Sequence, residues 1–156
     1  MKIRDASVDD AKAIGDLIRS MSHLFLVSPY GEDAVRFFAS LTPESILKSM
    51  QETNRFCLVA EAESEVVGMV MVRDGNYISK FFVAQAFQGR GIGRQLWLGA
   101  KAKAIQEFSS NEFSVNSSLG AVHAYECLGF RKVGDRTVKN GFEFIPMRFA
   151  GEQPAA

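Results

Sequence analysis

Lys80-Phe-Phe-Val-Ala-Gln-Ala-Phe-Gln-Gly-Arg-Gly-Ile-Gly-Arg-Gln-Leu-Trp97 is the stretch that decides how this chain is built and what chemistry it carries. Phe81 to Val83 reads as the end of a strand, Gln88 to Gly93 as a glycine-rich turn, and the residues after it as a helix. Gly89, Gly91 and Gly93 can adopt backbone conformations that other residues avoid, and without a Cβ they let a bulky anion approach the peptide N–H groups. The first N–H groups of the helix lack partners within it, and the helix dipole favours negative charge at the same place. Together these features make a phosphate site. Arg90 and Arg94 add to the reading, since cations at a helix N-terminus oppose its dipole until an anion joins them.

The ordinary nucleotide fingerprints do not fit. A G-x-G-x-x-G dinucleotide motif starting at Gly89 places its third glycine on Arg94, and one starting at Gly91 places it on Leu96. No G-x-x-x-x-G-K-[ST] occurs in the sequence. The pattern that fits is Q/R-x-x-G-x-G/A, occupied by Gln88, Gly91 and Gly93. A second segment, Val115-Asn-Ser-Ser-Leu-Gly-Ala-Val-His-Ala-Tyr-Glu-Cys-Leu-Gly-Phe130, carries A-x-x-x-Y-x-x-x-G-F in Ala121, Tyr125, Gly129 and Phe130.

On these two motifs, spanning Phe81 to Phe130, the chain resembles the GNAT superfamily of acetyl-CoA-dependent N-acetyltransferases. The resemblance implies a mixed α/β fold: a mostly antiparallel sheet of six to seven strands, one parallel pair splayed at the acyl-CoA site, and helices on both faces. It implies that the pantetheine arm pairs with the backbone of Phe81, Phe82 and Val83, with an N–H near Phe82 facing the thioester oxygen. The pyrophosphate falls to Gln88, Gly89, Arg90, Gly91, Ile92, Gly93 and Arg94, with Asn116 and Ser118 as further cofactor contacts. Tyr125 is the expected general acid for the departing thiolate, a phenol being comparably basic to the sulfur it protonates. No metal is implied.

The chain departs from the family pattern in two places. Ser118 stands where many members have Asn, seven residues before the tyrosine. Some members place a Glu on the strand before the glycine turn, whereas Gly75 to Val83 contains no carboxylate. The base is then a water held by Tyr77, Ser79 or Asn116, or a carboxylate from elsewhere such as Glu61 or Glu143, and acceptors with low amine pKa values are favoured.

The rest of the chain frames this site. Its 156 residues, nearly half of them apolar, suffice for one domain over residues 1–150, with an unstructured tail over 151–156. Lys plus Arg equals Asp plus Glu at 18 each, so a nucleic-acid partner is not expected. No apolar run reaches membrane-spanning length and no signal peptide is evident, which points to the cytoplasm. Cys57 and Cys127 stand in apolar contexts and are expected to be reduced and structural, with Cys127 turned toward an apolar face.

Periodicity predicts a strand over Lys2–Ala6 and an amphipathic helix from Val8 to Met21, capped by Ser7 and buried along Val8, Ala11, Ile14, Leu17, Ile18 and Met21. Short helices follow over Asp33–Ser40 and from Pro43 to Glu52. A strand meander then covers Arg55–Glu61, Val66–Arg73 and Asn76–Val83, with Gly68 marking a bulge, a close approach or a glycine merely tolerated in the strand. The helix after the glycine turn buries Ile92, Leu96, Trp97, Ala100, Ala104, Ile105 and Phe108. A strand over Glu112–Asn116 lies parallel to the third meander strand. A helix from Leu119 to Leu128, capped by Ser117-Ser118, ends at Gly129, and a hairpin of Phe130–Thr137 with Gly141–Phe149 turns at Asn140-Gly141.

His23, Tyr30, Glu32 and Asp33 are candidates for an acceptor pocket. The acceptor itself stays open between a small-molecule amine and a peptide or protein amine. A homodimer is the commonest symmetric assembly. Two other readings stand beside the enzyme: a non-catalytic acyl-CoA-binding or interaction module on the same fold, and generic nucleotide binding.

Overall fold

A computed structural model describes residues 1–151 of the chain; of the expected tail, all but Gly151 lies outside the described residues. Strand β1 (Lys2–Asp5) leads through a 3-10 turn at Val8–Asp10 into helix α1 (Ala11–Met21). Helices α2 (Glu32–Ala39) and α3 (Pro43–Gln51) precede the meander β2 (Arg55–Ala62), β3 (Glu65–Arg73) and β4 (Tyr77–Val83). After the glycine turn come α4 (Ile92–Phe108), β5 (Glu112–Ser117), α5 (Val122–Cys127), β6 (Arg131–Lys132), β7 (Thr137–Lys139) and β8 (Phe142–Ala150). The strands join in the order β1-β2-β3-β4-β5-β8-β6, with β7 pairing β8 to one side, which makes eight strands against the six to seven expected.

Every pairing is antiparallel except β4 with β5. That parallel pair is short. Only Tyr77↔Ser114 and Ile78↔Val115 are in register, after which β5 runs on against β8 as far as Ser117↔Ile145 while β4 runs on against β3 as far as Val83↔Gly68. The strands therefore part company at Ile78. Among the described residues, the rest of β4 has no strand partner on its β5 side.

The alternation of the meander strands feeds two cores. On one face Phe56, Leu58, Val70, Val72 and Ile78 pack with Leu96, Trp97 and Ala100 of α4 and Val122 and Tyr125 of α5. On the other, Cys57, Val59, Met69 and Met71 pack with Ile14, Leu17 and Ile18 of α1 and Ile46 of α3. Gly68 serves both of its expected purposes. It adjoins a register shift in the β2–β3 ladder, and a Cβ there would come within 3.0 Å of the Leu96 side chain, so its absence lets α4 lie close on the sheet.

Local chemistry sets the element ends. Thr42 Oγ1 accepts the Ser45 N–H at 3.3 Å, with Pro43 in the first turn of α3. Gly129, at φ +100°, closes α5: its N–H donates to Glu126 and the Phe130 N–H to Tyr125, both at 3.0 Å. Asn140 and Gly141, at φ +53° and +83°, form the tight turn between β7 and β8.

Several expectations need correction. Val8 (60 % exposed) precedes the regular helix and faces solvent, and Ile105 (49 %) lies off the buried stripe of α4. Ser118 makes no side-chain cap, because the segment opens as a 3-10 turn that its carbonyl closes by accepting the Ala121 N–H at 3.1 Å. The strand expected over Phe130–Thr137 is broken into β6 and β7. Their registers on β8 differ on either side of Pro146, which has no N–H to give, and Gly134 passes so close to that ring that a Cβ would lie 2.6 Å from it. Cys127 is exposed rather than turned to an apolar face, its Sγ 3.6 Å from Nε2 of His123 one helical turn back.

A charged cluster fastens α1 to the sheet. Arg4 holds Asp10 through two nitrogens at 2.7 and 3.0 Å and reaches Glu61 at 2.9 Å, while Asp10 also takes the Ser7 N–H at 2.7 Å. The Arg4 hydrogen bond holds the Asp10 carboxyl below its ordinary value. Its contribution to stability is thus complete above the ordinary carboxylate range and lost as pH falls through the lowered value. Asp10→Asn is expected to cost about 2 kcal/mol at neutral pH, and in urea melts the gap from the parent should close as pH falls below 4. A gap independent of pH would contradict the ion pair.

The two thiols should also separate chemically. Cys57 is buried, and burial pushes its thiol up to about 12. A thiol reagent at pH 8 should therefore modify Cys127 alone in the folded chain and both cysteines after denaturation. Rapid native labelling of Cys57 would contradict this packing.

Candidate active site

Where β4 leaves β5 the structure opens into a cleft of about 1020 Å³. One wall is β4 itself from Tyr77 to Val83; the floor toward α5 carries Ala121, Ala124 and Tyr125; the glycine turn closes one end.

The turn begins at a 3-10 segment, Gln85–Phe87, and is latched to the strand by the Gln88 side chain, whose Nε2 donates to the Val83 carbonyl at 3.0 Å. Gly89 and Gly91 both sit at φ +79°, a conformation that side chains resist, and a Cβ on either would meet nothing within 4 Å. Their role is thus to shape the backbone beside open space. Gly93 is helical, and a Cβ there would make only ordinary contact with Val83 and Phe81. The first backbone bond that closes α4 runs from Gln95 to Gly91 at 3.1 Å. Among the described residues, the N–H groups from Gly89 to Arg94 donate to no backbone carbonyl, and the first turn of the 17-residue α4 contains no acidic side chain. A row of free amides at the positive end of a long helix is a site for an anion.

Tyr125 meets the cleft from α5. Its ring packs edge-on against Phe81 at 6.0 Å and Phe130 at 5.3 Å, and it is 9 % exposed. Burial pushes the phenol above its ordinary value, with Tyr77 adding to the effect, so the hydroxyl keeps its proton throughout the neutral range. The turn closed by Gly129 fixes the end of the helix that carries it.

Of the residues that sequence singled out, Phe81, Phe82, Val83, Gln88, Gly89, Gly91, Ile92, Gly93, Arg94, Asn116, Ser118 and Tyr125 all border this one cleft. Arg90 does not; its guanidinium lies over the Phe87 ring at 4.9 Å. Asn116 donates to the Tyr77 hydroxyl at 3.3 Å, and Ser79 Oγ donates to the Met71 carbonyl at 3.2 Å. Glu61 is held by Arg4 in a separate groove beside α1 and is removed as a base for this site. Glu143 borders the cleft, with its Oε2 engaged by Arg136, from Nε at 2.8 Å and also from Nη2. No cluster of metal-ligating side chains occurs among the described residues.

The acceptor candidates of the first third are not there. His23, Tyr30, Glu32 and Asp33 are all exposed and none borders the cleft; Asp33 pairs with Arg36 at 3.2 Å. Their place is taken by apolar neighbours: Leu24 and Phe25 after α1, Phe37 on α2, and Phe142 and Phe144 on β8. Phe142 and Phe144 were legible only as alternate residues of a strand, with nothing local to show that β8 bends back over the turn after α1. The bonds responsible are long-range: Val27 N–H to Gly141 and Glu143 N–H to Phe25, both 2.9 Å.

Residues 26–150 match a family model described as an acetyltransferase (GNAT) domain. A search of curated proteins gives no significant match. Among solved structures, the chain is similar to the PaiA N-acetyltransferase of Thermoplasma acidophilum in complex with coenzyme A, at 17 % identity and a TM-score of 0.73, covering 96 % of this chain and 98 % of that one. It is also similar to an aminoglycoside 6'-acetyltransferase of type Ii, at 16 % identity and a TM-score of 0.73, with coverage of 99 % and 100 %. A spermidine N-acetyltransferase SpeG chimera of Vibrio cholerae and hSSAT matches at 18 % and 0.67, with coverage of 96 % and 95 %. At these identities the likeness is one of fold, and it is the family model, covering most of the chain together with both motifs and the splayed strands, that makes this protein a member of the GNAT acetyltransferase family.

Proposed function

We propose that this protein is an N-acetyltransferase that moves the acetyl group of acetyl-CoA to a primary amine by direct attack within a ternary complex. The observation that carries the reading is the convergence of three unlike features on one cleft: the free amides from Gly89 to Arg94, the unpartnered side of β4, and the side chain of Tyr125 packed against Phe81.

The residues present fit an acyl-CoA. The amides of the glycine turn take the pyrophosphate oxygens, with Arg94 supplying charge. The backbone of Phe81, Phe82 and Val83 offers an extended ligand the pairing that β5 gives up. An N–H near Phe82 polarises the thioester carbonyl, where charge builds as the amine attacks. The amine nitrogen bonds to the acetyl carbon, the carbon–sulfur bond breaks, the Tyr125 hydroxyl gives its proton to the sulfur and is reprotonated from solvent, and the proton lost by the nitrogen passes to solvent. Asn116 steadies Tyr77 across the parting strands, and Ser118 borders the same space. Cys127 has no part in this scheme, which needs no acyl-enzyme.

The unassigned base favours the competing reading of a non-catalytic acyl-CoA module, while the retained Tyr125 opposes it. Incubation with acetyl-CoA and a panel of primary amines, with free thiol as the readout, separates the two. Release of thiol that depends on the amine is expected; CoA binding without release for any amine would establish the module instead. Tyr125→Phe is expected to lower turnover about 100-fold or more while changing CoA affinity little. Equal losses in turnover and affinity would make Tyr125 a packing residue.

A further inference from the structure

The part of the cleft that faces α1 and α2 has a chemistry of its own. Phe25 stands 5.4 Å from Phe37 and 5.5 Å from Phe82, and Phe37 stands 5.3 Å from Phe142, centroid to centroid. These four rings come from the turn after α1, from α2, β4 and β8. The backbone bonds that tie Phe25 and Val27 to the β7–β8 hairpin hold them together. All four border the cleft, and each is only partly buried, so ring surface is left for a ligand.

Charge in the cleft is sparse and one-sided. Its bordering residues include just three with charge: Arg94 at the glycine turn, Lys80 and Glu143. Glu143 is already engaged by Arg136. A polyamine or an aminoglycoside would bring several ammonium groups here, and among the described residues the cleft offers them a single carboxylate, Glu143, whose Oε2 is shared with Arg136.

Lys80 is the converse case. It lies two residues before Phe82 on β4, about 7 Å away along the same face, in register with Met71 and so on the side that looks onto α1 and α3. Among the described residues it enters no ion pair. Burial, then the nearby cations Arg55 and Arg73, hold its ammonium below the ordinary value. Those two arginines are themselves engaged, Arg55 with Glu52 at 3.0 Å and Arg73 over the Tyr77 ring at 4.6 Å. A half-buried cation without a counter-charge, bordering an aromatic box, favours a ligand that carries both an apolar body and an anion.

Resting on the acetyltransferase reading above, we propose that the acceptor is an aromatic α-amino acid. Its ring lies against the cleft-facing surface of the packed Phe25, Phe37, Phe82 and Phe142 rings, its carboxylate faces Lys80, and its α-amino group is presented to the thioester beside Phe82. Transfer then consumes the amino acid and acetyl-CoA and yields the N-acetyl amino acid and CoA. The nitrogen lone pair forms the new carbon–nitrogen bond, the sulfur leaves with the electrons of the broken one, Tyr125 protonates it, and the proton lost from nitrogen passes to solvent. Lys80 has a second effect: a cation beside the amine lowers the amine's pKa and enlarges its neutral, nucleophilic fraction. This lightens the task of a base in a site where the one carboxylate is occupied.

The test uses the whole chain loaded with CoA, titrated by calorimetry with L-phenylalanine, phenethylamine and spermidine, alongside thiol release from acetyl-CoA with the same three amines. L-phenylalanine should bind at least about 10-fold more tightly than phenethylamine, the value of one charge-assisted contact, and spermidine should bind least. In Lys80→Met, or in Lys80→Gln should the first variant fail to fold, the preference for L-phenylalanine over phenethylamine should disappear. Failure of L-phenylalanine to bind, equal binding of phenethylamine to the parent, tighter binding of spermidine, or a preference that survives the loss of Lys80 would each overturn the assignment. Thiol release with spermidine alone would overturn it and leave the acetyltransferase standing. Binding of L-phenylalanine without thiol release would keep the pocket and remove the transfer.

Discussion

The architecture turns on a parallel ladder that stops after two residue pairs. Tyr77 and Ile78 are bonded to β5, and everything beyond them on β4 is not. An unpaired strand edge is ordinarily a liability at the rim of a sheet. Here it lies in the interior, with β3 on its other side and α5 filling the gap below through the contact of Tyr125 with Phe81. β5 is drawn away by its long antiparallel pairing with β8, and β4 is carried into the glycine turn. The two strands diverge because each has a stronger commitment elsewhere.

That divergence places the remaining features. The turn must reverse the chain within a few residues so that α4 can lie back on the sheet, and Gly89 and Gly91 in left-handed conformations accomplish it. The close approach at Gly68 then seats α4, and its N-terminus ends at the mouth of the cleft. On the opposite face Arg4 and Asp10 clamp the start of α1, and the bonds of Phe25 and Val27 to the β7–β8 hairpin fix the turn after its end. A single break in the sheet thus receives an anion site from one face and an apolar chamber from the other.

Local order was largely legible in the sequence. Alternation gave the meander, and strand, glycine turn and helix could be read from Phe81 to Trp97 because each rests on short-range physics: period, φ preference and unpaired helix amides. Asn140-Gly141 and Gly129 were likewise legible, since a positive φ narrows the choice of residue. What the sequence hid is long-range. Leu24, Phe25, Phe142 and Phe144 are brought to the cleft by bonds between segments more than a hundred residues apart, and polar residues such as Tyr30 and Glu32 drew attention that their exposure does not support. Lys80 looked like the mere absence of a carboxylate. Its meaning came from its neighbours, which are rings and cations. Pro146, read as one residue in a strand, breaks the partner strand in two.

The central proposal is that the amides of residues 89–94, left without partners at the glycine turn and the start of α4, hold the diphosphate of an acyl-CoA whose arm lies where β4 and β5 part. The most direct measurement is the amide proton and nitrogen spectrum of isotope-labelled protein during titration with CoA. The account predicts that the N–H signals of Gly89 to Arg94 move downfield together, in the manner of donors to phosphate, and that those of Phe81 to Val83 move with them. Saturation by CoA with these signals unmoved, or with the largest changes in the groove beside α1, would contradict it.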